Sequence, residues 1–301
     1  MNRMETLGAV AAAQGCEVLY QEPMWKHTTF KIGGPADLFI TVPDEQALQA
    51  VVTEAISLEI PYQVIGRGSN LLVSDEGIKG AVLLLSGKFA EVTVEGNAIT
   101  CGAAVPLFTL CKTALDHSLT GLEFAWGIPG SAGGALFMNA GAYGSEMKNV
   151  VTACTHMTKD GTIHTMTIDQ LELAYRHSIY HEMDAVILSV TVTLEPGDQA
   201  AISDAMEDFI TRRKTKQPLE YPSAGSVFKR PVGHYAGALV EQCGLKGKRV
   251  GGAMVSEKHA GFIVNDGGAT CKDVLDLVAL IQKTVLEETG VSLECEIRPV
   301  S

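Results

Sequence analysis

An uncharged stretch of 22 residues, 124–145, constrains the fold of this chain more than any other feature. It is long enough to cross a bilayer, but it holds six glycines together with Pro129 and Asn139. In hydrocarbon, these residues would leave backbone N–H and C=O groups without hydrogen-bond partners. The stretch therefore predicts buried loops and turns in a globular protein rather than a membrane span.

Glycine is concentrated around this stretch, since residues 121–144 contain seven of the chain's 31 glycines. In residues 127–134, Gly-Ile-Pro-Gly-Ser-Ala-Gly-Gly, this density lets backbone N–H groups converge. Converging amides are a common way to hold a phosphate group without a charged side chain. A cluster of tight turns between strands is the alternative that stays open at this point.

A second glycine loop, residues 66–70, follows a predicted strand. It is not a Rossmann fingerprint, because Leu71 stands at the third glycine position and no helix pattern begins there. The chain also lacks the G-x-x-x-x-G-K-[ST] phosphate loop. Two glycine loops without either standard motif indicate a dinucleotide that is held by a different fold.

Positive charge is concentrated in residues 212–249 of a chain whose net charge is −12. This segment, the cationic segment, has nine cations and two acids; the cations are Arg212, Arg213, Lys214, Lys216, Lys229, Arg230, Lys246, Lys248 and Arg249. Such a segment indicates a pocket for an anionic small molecule, since Arg and Lys pair well with phosphate and carboxylate. A solvated helix end and surface loop is the alternative. The acidic balance elsewhere argues against nucleic acid and anionic membranes as partners.

The seven cysteines are widely spaced and form no C-x-x-C pair. This pattern predicts a reducing compartment, the cytoplasm, with neither a disulfide framework nor a zinc site. The eight histidines show no metal-ligand spacing, so no metal site is predicted.

Hydrophobic periodicity predicts an α+β protein. Strands are expected at residues 36–42 and 61–65, with a helix between them that begins at Pro43-Asp44. Short strands at residues 82–85, 92–94, 150–157 and 186–194 follow, with a hairpin turn at 159–161 and one helix at 106–117. A turn at 196–198 suggests a domain boundary. A helix with a capping box is expected from Thr270 to about residue 288.

The tail, residues 292–300, alternates strictly and predicts one strand. Leu293, Cys295 and Ile297 would face the core, while Glu294, Glu296 and Arg298 would share the polar face.

Several stretches together resemble the UDP-N-acetylenolpyruvoylglucosamine reductases, flavoenzymes of peptidoglycan precursor synthesis. The stretches are residues 27–36 (HTTFKIGGPA), 66–70, 127–144, Tyr175-Arg176, 224–229 and 293–297. The chain resembles the shorter type of this family, because no insertion between Arg176 and Ser226 is long enough to supply the tyrosine-bearing loop of the longer type. Arg230 departs from the family pattern, since many members have asparagine there.

The resemblance implies an FAD-binding fold of the vanillyl-alcohol-oxidase (PCMH) type. Residues 1–85 and 86–197 would form two FAD-binding subdomains, and residues 198–301 an α+β substrate-binding domain whose last strand returns toward the active site. NADPH would reduce FAD, which would pass hydride to the enolpyruvyl ether of UDP-N-acetylglucosamine and give UDP-N-acetylmuramate. No obligate protein partner is expected.

The resemblance also implies the site residues. Arg176, Ser226 and Glu296 match the catalytic positions. The FAD-binding set is Gly66, Arg67, Gly68, Ser69, Asn70, Leu71, Gly127, Ile128, Pro129, Gly130, Ser131, Gly133, Gly134, Asn139, Ala140 and Gly141. The substrate-binding set is Tyr175, Arg213, Lys229 and Arg298. Two alternatives stay open: an FAD-linked oxidase of another small substrate on the same fold, and a non-catalytic nucleotide-sugar binding module.

Overall fold

A computed structural model describes residues 2–301, which form seven α-helices and eighteen strands. The helices are α1 (Arg3–Ala13), α2 (Glu45–Ser57), α3 (Leu107–Asp116), α4 (Ala132–Phe137), α5 (Gln199–Lys216), α6 (Ala236–Gln242) and α7 (Cys271–Thr289). The strands are β1 (Glu17–Pro23), β2 (Pro35–Val42), β3 (Tyr62–Ile65), β4 (Leu71–Val73), β5 (Ile78–Leu85), β6 (Val92–Glu95), β7 (Ala98–Gly102), β8 (Leu119–Thr120), β9 (Gly141–Ala142), β10 (Ser145–Glu146), β11 (Val151–Thr158), β12 (Ile163–Thr167), β13 (Ala185–Thr193), β14 (Glu195–Pro196), β15 (Arg249–Val250), β16 (Ala253–Val255), β17 (Ile263–Asn265) and β18 (Arg298–Val300).

The chain divides into two compact units, each with its own hydrophobic core. Unit 1 comprises Met1–Tyr20, Leu38–Arg67 and Gly80–Thr211. Unit 2 comprises Gln21–Asp37, Gly68–Lys79 and Arg212–Ser301. Both units are therefore discontinuous in sequence. The division into three parts at residues 85 and 197 stays a prediction.

Unit 1 contains a five-stranded antiparallel sheet in the order β12-β11-β13-β7-β6. Helix α2 begins at the predicted place, because the Asp44 carboxylate accepts a hydrogen bond from the Ala47 N–H at 3.0 Å. Its buried face, with Leu48, Val51 and Ala55, joins one core with side chains from α1, α3 and the strands. The predicted helix at 106–117 and the strands at 150–157 and 186–194 are confirmed as α3, β11 and β13.

The predicted hairpin turn at residues 159–161 is also confirmed. It joins β11 to β12, and the Thr158 N–H donates to the Thr162 carbonyl at 2.9 Å across its base. Gly161 has a φ of +81°, a conformation that glycine adopts without a steric penalty. The turn therefore fixes the register that places His156 opposite His164.

Unit 2 is organised around the long helix α7 and a three-stranded antiparallel sheet in the order β15-β16-β17. The capping box that the sequence predicts is present: the Thr270 hydroxyl accepts from the Asp273 N–H, and the Asp273 carboxylate accepts from the Thr270 N–H, both at 3.0 Å. Asp75 adds a second cap from a distant part of the sequence, since its carboxylate accepts from the Cys271 N–H at 2.7 Å and the Lys272 N–H at 3.0 Å. These bonds satisfy the otherwise unpaired amides of the first turn.

The C-terminal tail does not form the single strand that its alternation predicts. Only Arg298–Val300 is a strand, and it pairs in parallel with β4. Before it, the backbone groups bind unrelated partners: the Leu293 carbonyl accepts from the Gln282 side chain at 2.9 Å, and Cys295 forms an isolated bridge with Phe228. The burial pattern is nevertheless partly as expected, because Leu293 and Ile297 are buried and Glu294 is exposed.

The uncharged stretch 124–145 folds into a short 3₁₀ turn, helix α4 and the two-residue strands β9 and β10, so the prediction of loops and turns missed the helix. Across the described residues, 2–301, no helix combines the length and apolar character that a membrane crossing requires. All seven cysteines are free.

We expect the stability of the protein to fall as His156 becomes protonated. This side chain is fully buried on β11; its Nδ1 lies 3.0 Å from the Tyr180 hydroxyl, and within residues 2–301 its Nε2 has no hydrogen-bond partner. Burial lowers the pKa of His156, with a smaller contribution from His164. The unfolded chain therefore binds more protons near the unperturbed pKa of about 6.5, so stability is present above that pH and is lost as the pH falls.

The measurement is the free energy of unfolding in urea between about pH 8 and pH 5. Below about pH 6.5, native protein should lose up to about 1.4 kcal/mol per pH unit more than a His156→Phe variant. His164→Gln, at the exposed partner position on β12, is the control and should keep most of the native slope, because burial is the larger cause of the shift. Equal slopes for native protein and His156→Phe would contradict the assignment.

Candidate active site

Arg176 occupies the tip of a tight turn in unit 1. The backbones of Ala174 and His177 close this turn through two hydrogen bonds, at 3.2 and 3.1 Å. Arg176 itself has a φ of +55°, in the left-handed region that non-glycine residues rarely adopt. Its guanidinium Nη2 donates to the Gly141 carbonyl at 3.4 Å, and its Cζ lies 5.0 Å from the ring centroid of Tyr175.

Asn139 lies beside this turn and is fully buried. Its side-chain Nδ2 donates to the Ala174 carbonyl at 2.9 Å, and its Oδ1 accepts from the Lys148 N–H at 2.9 Å. The structure thus brings together residues that the sequence singled out for two tasks: Asn139 and Gly141 for FAD binding, and Arg176 for catalysis.

The two glycine loops meet within unit 1. A Cβ atom added to Gly66, directly after β3, would lie 2.5 Å from the Ser131 hydroxyl oxygen, so a side chain there would require that hydroxyl to move. Ser131 is buried and caps α4, since its Oγ accepts from the Gly134 N–H at 3.3 Å. Gly133 packs equally closely, because its Cβ would lie 2.8 Å from the Ala103 Cβ. At both positions a larger residue would have to displace a neighbouring side chain.

The rest of the second glycine loop, residues 68–70, belongs to unit 2, which begins again at Gly68. Gly68 has a φ of +62°, and a Cβ there would lie 2.0 Å from the His27 carbonyl oxygen. Asn70 bonds to the C-terminal tail twice: its Nδ2 donates to the Glu296 carbonyl at 3.1 Å, and its own carbonyl accepts from the Arg298 N–H at 2.9 Å. Leu71 is paired with Arg298 at the start of β4.

Ser226 and Glu296 lie on neighbouring backbone segments of unit 2. The Glu296 N–H donates to the Val227 carbonyl at 2.7 Å, and the Lys229 N–H donates to the Glu294 carbonyl at 2.8 Å. This register sets residues 226–229 beside residues 294–296. The Ser226 hydroxyl donates to the Phe228 carbonyl at 3.2 Å, and Ser226 is only partly buried. Its proton therefore has an internal acceptor that it must leave when it is donated elsewhere.

The cations of the cationic segment are held in different ways. Lys229 forms an ion pair with Glu294, and Arg249 forms one with Asp266. The Arg230 guanidinium stacks over the Tyr235 ring at 4.0 Å from its centroid. Arg213, near the end of α5, donates from Nη1 to the Gln217 side chain at 3.4 Å.

Burial changes the ionisation of two residues on the C-terminal tail. Desolvation lowers the pKa of Arg298 from its usual value, and burial raises the pKa of the Cys295 thiol. Cys295 therefore stays a thiol at neutral pH, while Arg298 stays a cation because arginine is not deprotonated in proteins. Of these two residues, Arg298 is the candidate to bind an anion, because it carries a half-buried positive charge.

One contact near Arg176 could not be predicted from the sequence. Tyr143, with a φ of +53°, stacks on Phe209 of α5 at a centroid distance of 4.3 Å, and its hydroxyl donates to the Phe209 carbonyl at 3.0 Å. The two residues are 66 positions apart, so only the folded chain reveals the pair. Its effect is to fix the loop that carries Gly141.

Two family comparisons match different parts of the chain. Residues 36–167 match the family described as FAD binding domain, and residues 217–300 match the family described as UDP-N-acetylenolpyruvoylglucosamine reductase, C-terminal domain. A UDP-N-acetylenolpyruvoylglucosamine reductase of Clostridium perfringens is 46% identical over 94% of this chain and 92% of its own length. One of Alkaliphilus oremlandii is 48% identical over 94% of this chain and 93% of its own length. The chain belongs to the UDP-N-acetylenolpyruvoylglucosamine reductase family.

Solved structures agree with this family assignment. The UDP-N-acetylenolpyruvylglucosamine reductase of Thermus caldophilus has a TM-score of 0.80 and 36% identity, and the match covers 95% of this chain and 99% of that one. A berberine bridge enzyme variant matches 64% of this chain and 44% of its own at a TM-score of 0.50 and 12% identity, which shows a shared fold alone. The expected α+β fold of the FAD-binding type is confirmed for this member of the reductase family.

The residues present fit FAD. The glycine loops at residues 66–67 and 127–134 lie together in unit 1, and no side chain can replace Gly66 without meeting Ser131. Backbone amides at such positions bind a diphosphate without charged side chains. Within residues 2–301, no group of three or more His, Cys, Asp or Glu side chains is placed to hold a metal ion.

Proposed function

We propose that this chain reduces UDP-N-acetyl-3-O-(1-carboxyvinyl)-glucosamine to UDP-N-acetylmuramate at the expense of NADPH, a step of peptidoglycan precursor synthesis. As a member of the reductase family it is an FAD-dependent oxidoreductase. Bound FAD supplies the hydride chemistry that no amino-acid side chain can perform. The chain's own residues bind and orient the substrate and control its charge and protons.

We propose that Arg176 stabilises the negative charge that hydride addition creates on the substrate. Addition of hydride to one vinyl carbon leaves negative charge on the other, which is bonded to the carboxylate. This carbon and the carboxylate then form an enolate-like group. A guanidinium offers paired N–H donors of matching geometry. The turn that carries Arg176 and the hydrogen bond to Gly141 support this role, because they fix the group before substrate binds.

We propose that Ser226 donates the proton that the second vinyl carbon takes up. Its hydroxyl would leave the Phe228 carbonyl and donate to the substrate carbon. Glu296 would orient the substrate carboxylate or share a proton with it. The observation that carries the proposal is the 2.7 Å hydrogen bond from the Glu296 N–H to the Val227 carbonyl. It holds Ser226 and Glu296 on adjacent backbone segments.

The binding residues are proposed on the same basis. Lys229, Arg213 and Arg298 would pair with the anionic groups of the UDP-sugar, and Tyr175 would stack on it. Arg230, where many relatives have asparagine, would supply a cation for the pyrophosphate, and its stacking on Tyr235 supports a fixed geometry. FAD would be held by the glycine loops and by the backbone of residues 139–141. A cytoplasmic location fits the free cysteines and the nucleotide substrates.

The proposal is tested by the absorbance spectrum of the purified protein under anaerobic conditions. NADPH should bleach the flavin absorbance, and the enolpyruvyl substrate should restore it without oxygen. UDP-N-acetylglucosamine, which lacks the vinyl group, is the matched control and should leave the flavin reduced. A flavin that only oxygen reoxidises would support the oxidase alternative, and a colourless protein would support the binding module.

A further inference from the structure

Arg176 is held at a left-handed φ, a backbone conformation that arginine disfavours. A left-handed φ is unfavourable for a residue with a side chain, and such a conformation persists only where the surroundings enforce it. Here the Ala174–His177 turn, with its two backbone hydrogen bonds, is one part of the enforcement. A four-residue turn is too small to be rigid alone, so contacts from outside it must complete the task.

Those contacts come from the last residue of α4 and the segment that follows it. Asn139 Nδ2 donates to the Ala174 carbonyl at 2.9 Å, and the Ser178 hydroxyl donates to the Phe137 carbonyl at 2.8 Å. The two bonds tie both ends of the turn to residues 137–139. Asn139 and Ser178 are both fully buried, so water does not compete for these bonds.

The same segment also contacts the charged end of Arg176. Gly141, two residues after Asn139, accepts the hydrogen bond from the guanidinium. Asn139 fixes the path of this segment as well, because its Oδ1 accepts from the Lys148 N–H across the β9–β10 hairpin. One amide side chain thus connects the backbone that carries Arg176 to the backbone that its guanidinium contacts.

We propose that Asn139 is a positioning residue for Arg176, a role that rests on the proposed function because it takes Arg176 as the group that stabilises the substrate. The side chain acts on the Ala174 carbonyl and the Lys148 amide, and its effect on the reaction passes through Arg176. The family resemblance places Asn139 in the FAD-binding set. Under this proposal its backbone belongs to the loop near FAD, while its side-chain amide binds other parts of the protein.

Asn139→Asp tests this with little change in shape. Aspartate keeps the acceptor for the Lys148 N–H and tolerates a left-handed φ, here +40°. When ionised it has no proton to donate to the Ala174 carbonyl, but when protonated it has one. Burial raises the pKa of such a carboxyl. The variant should therefore regain the native bond as the pH falls, whereas Asn139→Ala should not.

The measured quantity is the anaerobic rate at which the enolpyruvyl substrate reoxidises reduced flavin, divided by the native rate at each pH. At about pH 8 both variants should be about 10- to 100-fold slower than native protein, since a displacement of about 1 Å costs this much. Toward about pH 5.5, Asn139→Asp should recover and Asn139→Ala should stay slow. Flavin content and reduction by NADPH should be native in both.

Asn149→Asp is the matched control, because Asn149 lies in the same hairpin and its Oδ1 accepts from the Glu146 N–H at 3.0 Å, but it is exposed. It should show native rates and the native pH profile. Loss of flavin from Asn139→Ala, or the same profile in both Asn139 variants, would overturn the positioning role.

Hydrogen exchange of the His177 N–H, which closes the turn, gives a readout that needs no substrate. It should be faster in Asn139→Ala than in native protein or Asn149→Asp. Unchanged exchange would overturn the proposal whatever the activity. If native protein itself fails to react with the enolpyruvyl substrate, the proposed function fails and the exchange result stands apart from it.

Discussion

Replacing Ser226 with alanine will leave FAD bound and reducible by NADPH, and it will slow reoxidation by the enolpyruvyl substrate by about 10²- to 10⁴-fold. A positioned proton donor contributes this much to a reaction that ends in protonation of carbon. The first half of the reaction needs no such proton, so only the second half should respond. Anaerobic stopped-flow absorbance of the flavin separates the two halves.

Two further variants make the result specific. Ser223→Ala, three residues away, is the matched control, because Ser223 contacts Thr29 through its backbone carbonyl, at 2.7 Å. It should react at the native rate. Ser226→Cys places an S–H donor where the native protein has an O–H, and it should recover part of the rate that Ser226→Ala loses. Native reoxidation in Ser226→Ala would remove Ser226 from the mechanism.

Replacing Arg176 with alanine will slow the same half-reaction by about 10²- to 10³-fold, as expected when a donor to developing negative charge is removed. FAD binding should persist, because the glycine loops that fit FAD, rather than Arg176, are proposed to hold it. Arg176→Lys should recover little of the rate, since an ammonium is a point charge without the paired donors of a guanidinium. Flavin content and both half-reaction rates are the measurements.

The matched control for this series is Arg3→Ala, which removes an exposed arginine that pairs with Glu59 at 3.5 Å. Exposed ion pairs contribute little, so flavin content and rates should stay native. If Arg176→Ala loses its flavin while Arg3→Ala keeps it, Arg176 belongs to the cofactor site and the charge-stabilising role is wrong.

Local signals in the sequence predicted a large part of the fold. Asp44 and Thr270 cap the helices that they were expected to cap, because capping depends on residues only three positions away. The glycine pattern likewise predicted loops, and Gly68 lies where a Cβ would clash with the His27 carbonyl oxygen. These features require no knowledge of distant contacts.

What the sequence could not predict depends on distant contacts. Asp75 caps α7 from almost 200 positions away, and the tail carbonyls of Leu293 and Glu294 accept hydrogen bonds from Gln282 and from the Lys229 N–H. The left-handed φ of Arg176 is contrary to the preference of arginine, so no pattern indicates it. The candidate site residues fall in both units, because each unit is assembled from segments that are distant in sequence.

The discontinuous composition of unit 2 has a consequence for synthesis of the chain. Phe30, Ile32 and Leu72 belong to the same core as the buried face of α7, which leaves the ribosome about 200 residues later. Until then, these apolar side chains have no core to enter and present a target for chaperones and for aggregation. A recombinant fragment that begins near residue 217 would lack these side chains and the Asp75 cap, so folding studies of this enzyme need the whole chain.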